Sequence, residues 1–313
     1  MKILVTGGAG FIGFHTAKAL LDRGDEVVVV DNFNEYYDVS LKRARANLLS
    51  CEIIEADVSD YDDMKKVFED YSFDKICHLA AQAGVRYSLE KPFVYEKSNV
   101  KGTLVLLELC RKFKVKDFVF ASSSSVYGDN KKQPFSEEDR VDTPISLYAA
   151  TKKSNEEMAY VYHHLFGLNC TGLRFFTAYG PYGRSDMALF IFTKAILEGK
   201  EIKVFNNGNM ARDFTYISDT ISGILSALDS AFKYEIFNIA RGEKVKLLDF
   251  IKEIEKNLGM KAKKKFLPLQ PGDVPESLAD ISKAREMIGY NPKVSIKEGV
   301  KKFVDWYKEF YSI

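Results

Sequence analysis

Short runs of β-branched residues alternate with helical stretches over the first 120 residues, and this alternation restricts the fold more than any other feature. The runs at 2–6, 26–30, 53–56, 75–80 and 117–122 have the composition of strands buried on both faces. The stretches between them that are predicted to be helices are 11–23, 41–49, 61–71 and 99–113. Such alternation predicts right-handed βαβ units and a doubly wound parallel sheet.

The pattern changes after residue 176, which predicts two domains. A helix at 146–166 and a strand at 170–175 complete the first part, and shorter elements follow at 200–205, 237–240 and 245–257. We therefore expect a larger α/β domain over 1–175, with a return segment near 215–240, and a smaller α/β domain made mainly of 176–313. Core packing is expected for His78 and for the C-terminal aromatic residues Phe303, Trp306, Tyr307 and Phe310.

Composition excludes several classes of protein. The chain has 45 Lys and Arg against 44 Asp and Glu, a net charge of +1, so no basic excess points to nucleic acid. No apolar run approaches the ~18 residues of a membrane span, so we expect neither nucleic acid nor a membrane as partner. The four histidines and four cysteines lack the spacing of metal ligands. This predicts no metal site, and buried thiols in a reducing, cytoplasmic compartment.

Residues 6–13, Thr-Gly-Gly-Ala-Gly-Phe-Ile-Gly, follow the first predicted strand and open the first helix. The glycines at 8, 10 and 13 satisfy G-x-G-x-x-G, and those at 7, 10 and 13 give G-x-x-G-x-x-G. Bare backbone at such a junction lets a pyrophosphate approach the N–H groups at the helix N-terminus. The stretch therefore predicts a dinucleotide site.

Asp31 ends the second predicted strand. A carboxylate there accepts hydrogen bonds from a ribose 2′-hydroxyl and repels a 2′-phosphate, which favours NAD over NADP. Lys42, Arg43 and Arg45 would compensate the charge of a phosphate, but we assign them to a solvated helix face. Asp57, at the end of the third strand, either contacts the adenine or caps the helix that follows.

Tyr148 and Lys152 lie four residues apart on the long predicted helix and therefore share one face. A nearby cation lowers the pKa of a phenol, normally about 10, so the tyrosine can take a proton from a sugar hydroxyl near neutral pH. Upstream, four serines at 122–125 follow the fifth strand, where side chains point into the ligand crevice of such sheets. Together these features predict a proton-transfer site beside a dinucleotide.

In this combination the sequence resembles the extended short-chain dehydrogenase/reductase superfamily, within it the nucleotide-sugar epimerases, and in particular the UDP-glucuronate 4-epimerases. The resemblance implies a Rossmann-type sheet with a smaller substrate domain, NAD as cofactor, and a UDP-sugar, UDP-glucuronate or UDP-galacturonate, as substrate. It covers essentially the whole chain and rests on 6–13, 31–37, 78–86, 122–128, 148–152, 174–181, 183–188, 212–216 and 270–274.

The resemblance makes Tyr148 the base, Lys152 the residue that binds the nicotinamide ribose and tunes Tyr148, and Ser123 the hydroxyl that holds the sugar oxygen. Hydride leaves C4 of the sugar for NAD, the 4-keto sugar turns over in the pocket, and hydride returns to its other face. The cofactor residues that the resemblance implies are Gly7, Gly10, Phe11, Ile12, Gly13, Asp31, Asn32, Asp57, Val58, Leu79, Ala80, Ala81, Gln82, Asn99, Tyr148 and Lys152.

On the substrate side the resemblance implies contacts from Arg86, Ser124, Ser125, Thr177, Arg184, Arg212 and Asp273. Arg184 would face the C6 carboxylate, since a guanidinium binds a carboxylate bidentately, and Arg86 is a second candidate at the sugar. Arg212 would contact the pyrophosphate, with Asp213 as its orienting partner, and Asp273 would hold the uridine ribose. Thr177 stands where many galactose-type epimerases carry asparagine, which indicates a different sugar environment.

Two positions depart from the family pattern: Gln270 stands where an arginine is frequent, and Ser185 where a proline is. The alternative functions are a UDP-glucose/UDP-galactose 4-epimerase, a decarboxylase or dehydratase, and a non-catalytic NAD-binding protein. A neutral sugar would offer Arg184 no anion. The serine stretch has no acidic residue before Val126, which disfavours elimination. The pathway served, in polysaccharide biosynthesis or elsewhere, stays open.

Relatives pair through two helices that form a four-helix bundle, here the predicted 99–113 and 146–166. Met158, Val161 and Leu165 offer apolar surface at helical spacing, although the same residues also suit the protein's own core. We expect a homodimer.

Overall fold

The computed structural model describes residues 1–270 and 272–313. Its strands are β1 (Lys2–Thr6), β2 (Glu26–Asp31), β3 (Glu52–Glu55), β4 (Lys75–His78), β5 (Asp117–Ser123), β6 (Asn169–Phe175), β7 (Thr177–Tyr179), β8 (Glu201–Val204), β9 (Ala211–Tyr216), β10 (Tyr234–Ile239), β11 (Lys244–Lys246) and β12 (Lys263–Phe266). Its helices are α1 (Phe11–Asp22), α2 (Val39–Asn47), α3 (Tyr61–Asp70), α4 (Tyr87–Glu90), α5 (Pro92–Tyr95), α6 (Gly102–Phe113), α7 (Leu147–Phe166), α8 (Ala188–Leu197), α9 (Ile217–Asp229), α10 (Leu247–Leu258), α11 (Ser282–Ile288) and α12 (Ile296–Phe310).

A parallel sheet in the order β10-β6-β5-β4-β1-β2-β3 confirms the predicted doubly wound fold. The chain builds outward from β1 in one direction through β2 and β3, and in the other through β4, β5 and β6. The carboxyl ends of β1 and β4 therefore border the crevice in which ligands bind in open α/β sheets.

The alternation of side chains along the strands fills a core on each face of this sheet. Ile3 and Val5 pack on one face with α1 and α9, and Leu4 packs on the other with α3 and α6. His78 is buried between the hydroxyls of Thr6 and Thr103, as expected of a core residue.

The remaining strands form a sheet of β11, β9 and β7 and a parallel pair of β12 and β8. On α12, Phe303 and Tyr307 are buried and Trp306 and Phe310 pack against the same core, so the expected packing role is confirmed. No helix in the described ranges is long and apolar enough to cross a membrane.

The assignment of the α2 cations to a solvated face is wrong for two of the three. Lys42 is 3% exposed and Arg45 0%. Lys42 donates to the backbone and side-chain oxygens of Asn34, and Arg45 donates to backbone carbonyls of other elements. Only Arg43 lies at the surface, paired with Glu55. Polar partners within the protein make the burial of both cations possible.

Candidate active site

A cleft of about 1120 Å³ lies at the carboxyl ends of the parallel strands and extends over the smaller sheet. It brings together every predicted site residue except Asn99: Gly7, Gly10, Phe11, Ile12, Gly13, Asp31, Asn32, Asp57, Val58, Leu79, Ala80, Ala81, Gln82, Arg86, Ser123, Ser124, Ser125, Tyr148, Lys152, Thr177, Arg184, Arg212 and Asp273. A cleft of this size exceeds the ordinary range for one small ligand and suits two.

Asn99 lies behind the cleft wall and does not line it. Its side-chain oxygen accepts from the Gln82 N–H at 2.8 Å, and its side-chain nitrogen donates to the Gln82 carbonyl and to Thr151. It belongs to a π-helical turn at Glu96–Lys101 that joins α5 to α6. Helical backbone therefore starts before residue 99, the first residue of the predicted helix. Asn99 therefore fixes the backbone of Gln82, which does line the cleft.

The glycine-rich loop presents bare backbone to the cleft. Gly7 has φ +71°, and a Cβ there would meet the Ala80 backbone at 2.7 Å. A Cβ on Gly13 would overlap the Gly7 carbonyl, which also accepts the Gly10 N–H at 2.9 Å. Helix α1 starts with Gly10 as its N-cap and no side chain accepts from its first turn, so its N–H groups are free for an anion.

Asp31 is the last residue of β2 and is held in place by this loop. Its two carboxylate oxygens accept from the Ala9 N–H at 3.0 Å and the Phe33 N–H at 2.9 Å. Each oxygen keeps a further acceptor site, which suits ribose hydroxyls. The neighbouring Lys42 ammonium is engaged by Asn34, and burial lowers its pKa to about 8 while Asp31 opposes that change.

Asp57 does not cap the following helix. Asp60 caps α3 by accepting from the Asp62 and Asp63 N–H groups. Asp57 instead accepts from the N–H and hydroxyl of Ser59 and pairs with Lys97 at 3.0 Å. The capping alternative is therefore wrong, while contact between Asp57 and an adenine stays a prediction.

The N-terminal turn of α7 positions the tyrosine and lysine. Ser146 caps this helix, and Tyr148 and Lys152 follow on one face, one turn apart. Lys152 Nζ donates to the Ala121 carbonyl at 2.8 Å, and burial lowers the pKa of Lys152 to about 8. Burial raises the pKa of Tyr148, with Ser123 and the charge of Arg184 acting in the opposite direction. The expected lowering by Lys152 is thus absent in the protein alone, because the ammonium is directed to Ala121 and the phenol is desolvated.

The serine stretch forms a tight turn at the end of β5. The Ser125 N–H and hydroxyl both donate to Ser123 Oγ, at 3.2 and 2.7 Å. Ser123 keeps its own proton free to donate into the cleft beside Tyr148. Ser122 points the other way, to the buried carboxylate of Glu156 at 2.6 Å, and anchors the turn to α7.

Arg184 lies in the cleft wall with an internal partner that the sequence interpretation missed. Its Nε and Nη2 donate to Asp186 at 2.9 and 2.5 Å, and its guanidinium lies over the Tyr36 and Tyr37 rings at 5.5 and 5.9 Å. Although burial opposes it, the charge of Asp186 raises the pKa of Arg184. The available signals were the Arg-x-Asp spacing and the paired tyrosines in an otherwise polar loop.

The other predicted arginines meet at the far end of the cleft. Arg86 Nη2 donates to Asp273 Oδ2 at 2.9 Å, and Arg212 donates to the Ala211 and Pro275 carbonyls. Burial, with the charge of Arg86, lowers the pKa of Arg212, and Asp273 opposes the change. The two arginines share this end with the carboxylate of Asp273, and the charge of Glu276 also acts on Arg212.

Asp213 does not orient Arg212. Adjacent residues of a strand face opposite sides, so Asp213 of β9 points away from the cleft. Its carboxylate accepts from the N–H groups of Arg241, Gly242 and Ala279. Thr177 is the first residue of β7. Both Thr177 and Gln270 line the cleft.

Comparison with known proteins is consistent with this geometry. A family model described as GDP-mannose 4,6 dehydratase matches residues 4–303. UDP-glucuronate 4-epimerase 4 of Arabidopsis thaliana is 49% identical over 333 residues, which cover 100% of this chain and 76% of the plant protein.

Two solved structures share the whole fold. One is UDP-glucuronic acid 4-epimerase from Bacillus cereus in complex with UDP-glucuronic acid and NAD, with 40% identity and a TM-score of 0.92 over 99% of this chain and 100% of that one. The other is UDP-glucose 4-epimerase of Thermotoga maritima with UDP-glucose, with 35% identity and a TM-score of 0.91 over the same shares.

Proposed function

The chain belongs to the GDP-mannose 4,6-dehydratase family of extended short-chain dehydrogenases/reductases, and we propose that it interconverts UDP-glucuronate and UDP-galacturonate as an NAD-dependent 4-epimerase. The observation that carries this proposal is the single cleft in which a glycine-rich loop, a Tyr148–Lys152 pair and a set of arginines meet. Relatives similar to this chain over nearly all its length include UDP-glucuronate 4-epimerases of Arabidopsis thaliana and Bacillus cereus.

The cofactor end of the cleft fits NAD. Gly7 and Gly13 leave a cradle that a Cβ would fill, and the uncapped start of α1 offers N–H groups to a pyrophosphate. Asp31 has acceptor sites left for the adenosine ribose. Bound NAD supplies the group that takes hydride from C4 of the sugar and returns it.

The proton is handled by this chain's own side chains. Tyr148 accepts the proton of the C4 hydroxyl as the C4–H bond breaks, so C4 becomes a ketone, and returns it when that bond re-forms on the other face. Ser123 donates its free proton to the same sugar oxygen and holds it at Tyr148. Lys152 would bind the nicotinamide ribose, and the burial that raises the pKa of Tyr148 in the protein alone must be offset by the positive charge of bound NAD.

The sugar-nucleotide end fits a uronate. The Arg184–Asp186 pair uses two of the five N–H donors of the guanidinium. The remaining donors, with the hydroxyls of Ser124 and Thr177, suit a C6 carboxylate, while Ser125 donates its own proton to Ser123. At the far end Arg86 and Arg212 would bind the diphosphate and Asp273 the uridine ribose. The alternative substrate pair, UDP-glucose and UDP-galactose, is represented by a structure with lower sequence identity.

An assay without added NAD tests this function. UDP-glucuronate and UDP-glucose are supplied separately to the purified protein, and the products are followed by NMR. We expect UDP-galacturonate from the first and little reaction of the second. UDP-galactose from the second, with the first untouched, would keep the mechanism and overturn the uronate assignment.

We also propose the following organisation. Residues 1–175, with the segment near 215–240, hold NAD, and 176–313 supply most of the UDP-sugar site. Val161 and Leu165 of α7 are exposed, as is Leu104 of α6, which supports a homodimer through these helices, whereas Met158 packs into the core. Sedimentation at micromolar concentration that shows only a 35.5 kDa species would contradict the dimer.

A cytoplasmic location is proposed on the state of the thiols. The four cysteines are free, and Cys77, Cys110 and Cys170 are buried. Desolvation raises the pKa of each of these three thiols, which keeps them protonated and unreactive.

A further inference from the structure

The turn that carries Arg184 is held in place by the cofactor half of the molecule. His15 of α1 lies 2.9 Å from the Pro181 carbonyl, and Phe14 packs against the Tyr182 ring with 5.2 Å between centroids. Burial lowers the pKa of His15 to about 4, so this imidazole is neutral and its Nε2 carries the proton that Pro181 accepts. Tyr182 has φ +56°, a conformation that a tyrosine keeps only when its surroundings enforce it.

Arg45 of α2 connects this turn to the glycine-rich loop. Its Nε and Nη2 donate to the Tyr182 carbonyl at 3.0 and 2.7 Å, and Nη2 also donates to the Gly183 carbonyl at 3.1 Å. Its Nη1 donates to the Ala9 carbonyl at 2.9 Å and to the Tyr37 hydroxyl at 2.8 Å. One side chain therefore contacts the phosphate-binding loop, the turn before Arg184, and a tyrosine beneath Arg184.

The burial of Arg45 is unusual because it has no ionic partner within 4 Å in residues 1–270 and 272–313. A buried cation needs compensation, which carbonyl oxygens from two separate segments supply here. A lysine would supply a compact charge, but it lacks the planar fork that spans both segments at once. The arrangement is stable only while loop and turn keep their relative positions.

We propose that Arg45 is a positioning residue that couples NAD binding at the glycine-rich loop to the placement of Arg184 at the sugar. This inference rests on the proposed function and deepens it. An occupied loop fixes the Ala9 carbonyl, and through Arg45 the Tyr182 and Gly183 carbonyls, so Arg184 is set before the uronate arrives. Since coupling between two sites is reciprocal, the uronate must in turn strengthen the binding of NAD.

The first test compares NAD affinity without ligand, with UDP, and with UDP-glucuronate. In the wild type, UDP-glucuronate strengthens NAD binding more than UDP does, by a factor on the order of ten. Arg45→Lys and Arg45→Met should reduce this extra factor to near one. Arg43→Met, on the exposed side of the same helix, should retain it. Wild-type coupling in a folded Arg45 variant would overturn the proposal.

A second test needs no variant. Hydrogen exchange of residues 182–187 is measured in the wild type with NAD bound and after NAD has dissociated, with no UDP-sugar present. Slower exchange of this turn with NAD supports the coupling, and equal exchange in both states overturns it. If NAD protects the turn but UDP-glucuronate neither binds nor reacts, the proposed function fails while the role of Arg45 stands.

Discussion

The two ends of the cleft are built from different parts of the polypeptide. The cofactor end consists mainly of backbone: Gly7, Gly13 and the open start of α1 present N–H groups with no side chain in the way. The sugar-nucleotide end consists of long charged side chains that already have protein partners, as in the Arg184–Asp186 and Arg86–Asp273 pairs. The first end is set by backbone conformation, and the second by side-chain pairs that a ligand must share or replace.

This difference predicts that the binding of NAD alone and the binding of UDP alone can be lost separately, whereas UDP-glucuronate stays coupled to NAD through Arg45. Loss of a glycine changes the shape of one backbone loop and leaves the ion pairs untouched. Loss of an arginine removes a charge and leaves a carboxylate without its partner, which costs more where the pair is buried. The Tyr148 hydroxyl lies between the ends, so its removal should leave both binding sites intact.

The largest expected effect is the loss of turnover when Tyr148, between the two ends of the cleft, is changed. Tyr148→Phe removes the only atom of that residue that carries the transferred proton, so kcat should fall by about 10² to 10⁴. NAD content and UDP-glucuronate affinity should stay near those of the wild type, as measured by cofactor release and calorimetry. A variant that keeps wild-type turnover would remove Tyr148 from catalysis.

Gly13→Ala should weaken NAD binding at the cofactor end and leave UDP binding unchanged. The new methyl group overlaps the Gly7 carbonyl, and overpacking of this kind costs about 1–3 kcal/mol. NAD retained through purification should therefore drop sharply, while UDP still binds. Gly24→Asn, at an open surface position with φ +91°, is the control and should retain NAD. Equal NAD content in all three proteins would contradict the assigned loop.

Arg184→Ala breaks the sugar end alone. It removes the guanidinium and leaves Asp186 to repel a uronate, so kcat/KM for UDP-glucuronate should fall on the order of tenfold more than for UDP-glucose. Arg140→Ala removes an arginine with the same i,i+2 aspartate pairing at the surface and should change neither value. Equal losses on both substrates in Arg184→Ala would exclude a carboxylate site there.

The smallest expected effect concerns the dependence of stability on pH. Burial raises the pKa of Asp213 to about 6 despite its three N–H donors. The folded state therefore holds this proton up to a higher pH than the unfolded chain does, and loses stability as pH rises towards about 6.

Relative to Asp213→Asn, the wild type should lose about 1 kcal/mol of unfolding free energy between about pH 5 and pH 7. Urea denaturation of both proteins measures this difference, and Asp70→Asn, at an exposed position at the end of α3, serves as the control. If the free energy of unfolding changed with pH in the same way for wild type and Asp213→Asn, the stability of the protein would not depend on the protonation of this carboxylate.

The same contrast explains how much could be predicted from the sequence. The strand–helix alternation and the 6–13 motif depend on neighbours in the chain, so the parallel sheet and the position of Asp31 followed from local pattern. Tyr148 and Lys152 share a helix face for the same reason. The strand β9 was not predicted, and without it the opposite orientations of Arg212 and Asp213 could not be seen.

Long-range contacts escaped the sequence interpretation. From the sequence, Arg45 is predicted to be an ordinary surface cation on its helix. Only the tertiary structure brings the Tyr182 and Gly183 carbonyls, 137 and 138 residues away in the chain, into contact with it. The Arg184–Asp186 pair is close in sequence, but its bidentate geometry depends on the loop conformation after Tyr182. Side-chain partners at the sugar end are thus set by the fold as a whole.

If hydride stays within the cleft, the hydrogen removed from C4 of the sugar is the one that returns to it. UDP-glucuronate carrying deuterium at C4 is converted in ordinary water, and the product is examined by NMR and mass spectrometry. We expect UDP-galacturonate that retains the deuterium at C4. Product that carries protium from the solvent at C4 would contradict a hydride held within the cleft.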